Sequence, residues 1–271
     1  MSQPAGDKVD LCTVISERFI PQAINLIKSY KTYSYDAKIY VYYFNTDPEK
    51  LKIFHSLFSD QVVLKPVEEV CPHALDPRTF FYKTYALYDT LVNQSEAVIY
   101  SDSASCFIRD ATNIGADLID DSLFLVYTNS HLINRNWTTS ACLETLDAPG
   151  AEFMPQYWAG FQAYNRTAEN LSFVTEMYEN MKNPKVASPP VGVQYPDGPG
   201  TACIEHRCDQ SVLSILIHKH NRHQPYDIAK NAKYGDWQTI VSFDRSYVVP
   251  TEQMVLSPRE SKFGQFRFLN E

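Results

Sequence analysis

The feature that most constrains this chain is an early alternation of residue types. Residues 10–16, DLCTVIS, form a short apolar run suited to a buried parallel strand. Residues 19–33 place Ile20, Ala23, Ile24, Ile27 and Tyr30 at helical spacing, with Pro21 in the first turn, where proline is tolerated. Residues 38–44, KIYVYYF, are rich in β-branched and aromatic side chains and predict a second strand. Strand, helix and strand in this order make a βαβ unit with a right-handed crossover. A chain that opens this way is expected to build an α/β fold around a mostly parallel central sheet flanked by helices.

The pattern continues. Asp47-Pro48 opens a helix carrying Leu51, Ile53, Phe54 and Leu57, and residues 61–65 predict a short third strand. Residues 68–78 are polar and proline-punctuated, a loop by composition. Residues 79–91 are helical, with Lys83 among Phe81, Tyr85, Leu87, Tyr88 and Leu91. Lys83 is either a lysine snorkelling to solvent or a cation near the phosphate end of a ligand. The run Ala97-Val98-Ile99-Tyr100 then leads into Ser101-Asp102-Ser103-Ala104. In open α/β sheets ligands bind outside the carboxyl ends of the strands. A carboxylate delivered there can hold a divalent metal or a sugar hydroxyl, or simply cap a turn.

Residues 110–118 are expected as a linker or short helix, and residues 122–127, SLFLVY, as another buried strand. The pattern weakens over residues 128–155, where a long excursion is expected. Residues 158–164, WAGFQAY, predict a strand with Gly160 at a point of close approach. Residues 167–181 form an amphipathic helix. Residues 183–200 hold five prolines and three glycines, and long loops of this kind tend to be functional or mobile. That loop runs into His206, Arg207, Asp209 and Gln210, followed by the buried stripe Val212, Leu213, Ile215 and Leu216. An acid in a first helical turn also has a plain explanation in the helix dipole. His218, His220 and His223 match no zinc spacing and are expected at the surface.

Composition sets the limits. The net charge of -8 with scattered basic residues argues against a nucleic-acid partner. The polar N-terminus lacks a signal-type apolar core, and no apolar run reaches bilayer length, so a soluble, cytoplasmic protein without a membrane span is expected. The six cysteines form no CxxC pair, and a Cys203–Cys208 disulfide would need an oxidising compartment. Sequons at Asn93, Asn136, Asn165 and Asn170 are taken as chance matches. The 271 residues divide into a flexible 1–8, one domain over 9–220, and an extension over 221–271 packed on that domain.

The ladder of βαβ units, the acidic turn in VIYSDSA, the strand WAGFQAY and the late segment HRCDQSVLSIL together resemble nucleotide-sugar-dependent glycosyltransferases of the GT-A fold. The resemblance spans residues 9–219 and rests on the order of short motifs. It includes a glycogenin-like Asp-Gln segment and extends to small glycosyltransferases of protists, nematodes and large DNA viruses. It implies transfer of a sugar from a nucleotide diphosphate-sugar, a UDP-sugar first, to a hydroxyl of a glycan or glycoprotein acceptor. Thr13, Val14, Ile15, Ser16 and Arg18 would then seat the nucleotide, with Lys83, Asp102, Ser103 and Ala104 on the donor. Trp158, Gly160, His206 and Gln210 would serve the sugar or acceptor, and Asp209 would be the catalytic carboxylate. Asp102 would also be the ligand of Mn²⁺ or Mg²⁺; the alternative is a site that works without metal, with Lys83 or Arg207 neutralising the leaving diphosphate and Asp102 on ribose or sugar hydroxyls. One departure stands out, because the family's Asp-x-Asp is Asp102-Ser103-Ala104 here and lacks its second carboxylate. That departure motivates the alternative of a non-catalytic carbohydrate- or nucleotide-sugar-binding protein. A sugar-phosphate nucleotidyltransferase would need a glycine-rich basic loop where SERFIPQ stands. An aspartate phosphohydrolase would need an acid at Ala104.

Overall fold

Side chains of the first strand divide between two cores, and this division sets the architecture. In β1 (Asp10–Ile15), Leu11 and Ile15 face one cluster while Cys12 and Val14 face another. The first cluster takes Ala23, Ile24 and Ile27 from α1 (Ile20–Tyr33) and Phe54 from α2 (Pro48–Ser56). The second takes Phe81, Tyr85 and Leu91 from α3 (Phe81–Asn93). It also takes Phe173 and Met177 from a later helix, Ala168–Met181, and Val212 and Leu216 from another, Asp209–Lys219. Each such burial removes an apolar side chain from water and stabilises by about 1.5–3 kcal/mol. The result is a sheet between two helical layers. The computed structural model describes residues 9–34, 36–58, 61–107, 124–187, 194–198, 200–222 and 241–243.

Among the described residues the central sheet has six strands in the order β3-β2-β1-β4-β7-β6. These include β2 (Ile39–Tyr43), β3 (Val62–Pro66), β4 (Ala97–Ser101), β6 (Phe124–Ile133) and β7 (Pro155–Asn165). β3, β2, β1 and β4 run parallel, while β7 is antiparallel to both β4 and β6. The chain winds outward from β1 through β2 to β3, then returns to place β4 on the other side of β1. At such a reversal, here beyond the carboxyl ends of β1 and β4, open α/β sheets bind ligands. There Thr13 Oγ1 of β1 donates to Ser101 O of the neighbouring β4 at 2.7 Å. A second, two-stranded sheet pairs β5 (Ser105–Phe107) with β8 (Val241–Phe243). It brings a piece of the C-terminal extension to the strand that follows Asp102.

Local chemistry sets several boundaries. Asp47 caps α2 by accepting from Glu49 N and Lys50 N at 2.8 and 3.2 Å, with Pro48 as the first helical residue. Thr167 caps α5 (Ala168–Met181) by accepting from Asn170 N; between them lies α4 (Ser140–Leu146). α6 is Asp209–Lys219. α3 begins at Phe81 rather than residue 79, because Thr79 Oγ1 accepts from Phe81 N and Phe80 is left-handed at φ 56°. The excursion expected from residue 128 starts later, since β6 continues to Ile133. Its pairing with β7 shifts register twice, which hides a simple alternation.

His218 is a correction. It is buried, its Nε2 pairs with Pro155 O at 3.1 Å, and its ring packs on Tyr157. The apolar face of α6 carries it inward. His220 is exposed and bonds Glu176, while His223 lies outside the described residues, as do 1–8 and 110–118. The cysteines are free, Cys203 and Cys208 included. Asn165 and Asn170 are buried, and their sequons are therefore inaccessible in the folded chain. Among the described residues no helix is long and apolar enough to cross a membrane.

Candidate functional site

β4 ends at Ser101, and its alternation sends Asp102 to the same face as Val98 and Tyr100, the face covered by α3 and α6. α3 brings Lys83 to this point. Its ammonium lies 2.7 Å from Asp102 Oδ1 and 3.9 Å from Asp209 Oδ2. Tyr100 OH also donates to Asp102 Oδ1, at 3.1 Å. The Lys83 side chain is 14% exposed and that of Asp209 is 9% exposed, so the pairing takes place largely out of water. Lys83 also lies 4.9 Å from the centre of the Phe80 ring.

Electrostatics follow from that geometry. Burial alone would lower the Lys83 pKa, but the Asp102 and Asp209 carboxylates outweigh it and raise it, so the amine stays an ammonium. Burial pushes the Asp209 carboxyl up to about 6; Lys83 opposes the rise and Asp102 adds to it. Asp209 Oδ2 has no hydrogen-bond partner despite its burial. A buried acceptor left unsatisfied in this way is costly and calls for an explanation.

The backbone around the site is strained. Phe80, immediately before α3, has φ 56°, and Cys208, immediately before α6, has φ 44° and ψ -110°. Left-handed non-glycine residues of this kind cost on the order of 1–3 kcal/mol each and cluster at functional sites. The two segments touch, with Cys208 Sγ at 3.5 Å from Arg78 O. The strain sits on the residues that aim Lys83 and Asp209.

β7 closes the site from the side. Asp102 N donates to Gly160 O at 2.8 Å. Tyr157 and Ala159 face the α3 core, yet Phe161 and Ala163 face the α1 core. A register shift between these pairs, opposite Val126 and Tyr127 of β6, turns the strand over at Gly160. The Trp158 indole then lies back against Gly160. A methyl group there would meet Trp158 Cζ2 at 2.4 Å and Asp102 Oδ2 at 2.7 Å.

No family model matches the sequence, and a search of curated proteins finds no match. Solved structures do match. The bifunctional glycosyltransferase WbbM aligns with a TM-score of 0.50 at 10% identity, over 80% of this chain. The chain accounts for 39% of WbbM's length. The fold is that of the GT-A glycosyltransferases. Galactosyltransferase LgtC, solved with donor and acceptor sugar analogues, aligns at 0.48 with 14% identity, covering 77% of this chain and 70% of LgtC. Mouse xyloside xylosyltransferase 1 aligns at 0.48 with 11% identity, covering 90% of this chain and all 100% of that one.

On this GT-A frame the residues singled out from sequence separate into groups. Lys83, Asp102 and Asp209 come together directly. Gly160 and Trp158 border them. Ser103 is buried and Ala104 partly exposed in the turn leading to β5. Thr13, Val14 and Ile15 are buried, Thr13 on Ser101 and the other two in opposite cores. Their side chains hold strands together. Ser16 lies at the rim, and Arg18 is exposed with its guanidinium 5.7 Å from the Phe19 ring. His206 turns away from the cluster. Its Nδ1 accepts from Thr139 N at 3.2 Å and its Nε2 donates to Val186 O at 2.8 Å. Burial lowers its pKa to about 4, so it is neutral and clamps the loop before α6. Gln210 is buried and donates to Gln156. Tyr100 and Gln156 also belong here, and their positions at a strand end and inside a strand give no sequence signal beyond core.

The donor set bears on the expected metal. Mg²⁺ and Mn²⁺ take oxygen ligands, commonly one or two carboxylates plus substrate phosphates. Here Asp102 Oδ1 is engaged by an ammonium and a phenol, Asp209 stands on the other side of that ammonium, and Ala104 offers no oxygen. Among the described residues no group of three or more His, Cys, Asp or Glu side chains is placed to hold a metal. Among the described residues, the cation that these carboxylates face is the Lys83 ammonium.

Proposed function

We propose that the chain is a glycosyltransferase that moves a sugar from a nucleotide diphosphate-sugar, a UDP-sugar first, to a hydroxyl of a glycan or glycoprotein. The observation that carries this is the Lys83 ammonium between Asp102 and a buried Asp209, whose Oδ2 faces the ammonium without a hydrogen bond, at the switch point of a GT-A sheet. The donor lies across the carboxyl ends of β1 and β4, past Ser16. Asp209 Oδ2 accepts a hydroxyl proton, which satisfies the orphaned oxygen. Trp158 offers an apolar ring to a sugar face.

Charge changes support the chemistry. With both acids ionised, the cluster of one ammonium and two carboxylates is net negative. Departure of the diphosphate adds negative charge nearby, which needs cationic stabilisation. When Asp209 takes the acceptor proton, the cluster becomes neutral and the Lys83 charge is released toward the leaving group. A carboxyl with a pKa of about 6 is suited to that proton transfer near neutral pH. The second candidate, a binding protein without chemistry, draws on Ala104 in place of an acid. Release of nucleoside diphosphate from a panel of nucleotide sugars, with and without sugar acceptors, tests the choice. Turnover of one donor class supports the transferase; tight binding without turnover supports the binding protein.

A further inference from the structure

A buried hydrogen-bond relay behind the site fixes one of its groups. Gln156 on β7 is fully buried. Its Nε2 lies 3.2 Å from Trp137 O, 3.3 Å from Thr138 Oγ1 and 3.3 Å from Ser211 Oγ. Trp137 O is a carbonyl and can only accept. Ser211 Oγ spends its own proton on that carbonyl at 2.8 Å, so it too accepts from Gln156. The amide of Gln156 therefore has one permitted orientation, NH₂ toward Trp137 and Ser211 and oxygen toward Gln210. That oxygen accepts from Gln210 Nε2 at 2.6 Å. Turning the Gln210 amide over would set two carbonyl oxygens against each other between two buried side chains, a costly arrangement.

We infer that Gln156 is a positioning residue that locks the Gln210 amide with its carbonyl oxygen, and not its NH₂, turned away from the relay and toward ligand. The position then accepts hydrogen bonds, as does its neighbour Asp209 Oδ2. The ligand group met there is a hydrogen-bond donor, a hydroxyl and not a phosphate or carboxylate oxygen. The inference rests on the glycosyltransferase reading for what the ligand is, and on the relay alone for the orientation.

The test is a double-mutant cycle of Gln156→Leu and Gln210→Ala, read by donor turnover and by side-chain amide NMR of Gln210. Gln156→Leu is expected to lower kcat about three- to tenfold, the scale of one hydrogen bond, with the KM for donor unchanged. The same change in the Gln210→Ala background is expected to have no further effect, since Gln156 acts through Gln210. In the NMR experiment the Gln210 NH₂ protons are protected from exchange in the wild type and lose protection in Gln156→Leu. Additive losses in the cycle, or unaltered Gln210 amide signals, overturn the proposal. If the wild-type protein turns over no nucleotide sugar, the transferase reading fails, and the NMR result alone still decides the relay.

Discussion

Lys83 and Asp102 meet at 2.7 Å, although one comes from the first turn of α3 and the other from the end of β4. The contact joins a helix to the switch point of the sheet. It places a permanent cation where Asp209 can share it at 3.9 Å. The carboxylates raise the Lys83 pKa, and Lys83 in turn opposes the rise at Asp209.

Lys83→Met leaves two largely buried carboxylates facing each other with no cation between them. Truncating one partner of such a pair typically destabilises by about 3–5 kcal/mol. Urea denaturation at neutral pH should show a loss of this order, and sugar transfer should fall to background. A variant with wild-type midpoint and activity would remove Lys83 from the site.

Asp209 makes stability depend on pH with a definite sign. Its folded-state pKa of about 6 lies above the ordinary 3.8. The folded protein therefore holds this proton more tightly than the unfolded chain does. The Asp209 contribution is fully present below about pH 3.8 and is lost as pH rises through about 6. Asp209→Asn is expected to be more stable than wild type by about 2 kcal/mol at pH 8, with the advantage vanishing near pH 4. Transfer by the wild type should rise as pH increases through about 6, and Asp209→Asn should lose on the order of 100-fold or more. Thermal melts and rates across that range check both parts.

Gly160→Ala tests the turn in β7. Its added methyl would sit 2.4 Å from Trp158 Cζ2 and 2.7 Å from Asp102 Oδ2, distances that force one of them to move. Overpacking of this kind destabilises by about 1–3 kcal/mol. The tryptophan fluorescence should shift along with the melting temperature. An unshifted spectrum with full activity would show that the indole does not rest on Gly160.

The Lys83 arrangement also predicts the response to chelation. Nucleotide sugar at about 100 times its Kd should raise the stability by roughly 2.7 kcal/mol. That gain should survive EDTA, because the cation between the carboxylates is part of the chain. Loss of the gain in EDTA, restored by Mn²⁺ or Mg²⁺, would assign Asp102 to a metal after all.

The sheet was readable because its strands carry the apolar runs that parallel, doubly covered strands need, as in DLCTVIS and KIYVYYF. Lys83, Asp102 and Asp209 could be singled out as charges set against apolar segments. Their convergence could not, since it depends on two strained residues, Phe80 and Cys208, that look ordinary in the sequence. Thr13, Val14 and Ile15 were placed near the nucleotide, but strand pairing and alternation turn them inward. His206 was singled out as a polar group beside a loop, and the two backbone groups that its ring nitrogens bond could not be read from the sequence. A strand's pattern tells which residues are buried, and not which of them bond one another.

The most direct test of the account is release of nucleoside diphosphate from a panel of nucleotide sugars by the wild-type protein and Asp209→Asn, at pH 7.5. The account predicts turnover of one donor class by the wild type and loss of on the order of 100-fold in the variant. No turnover of any donor, or equal turnover by both proteins, would contradict it.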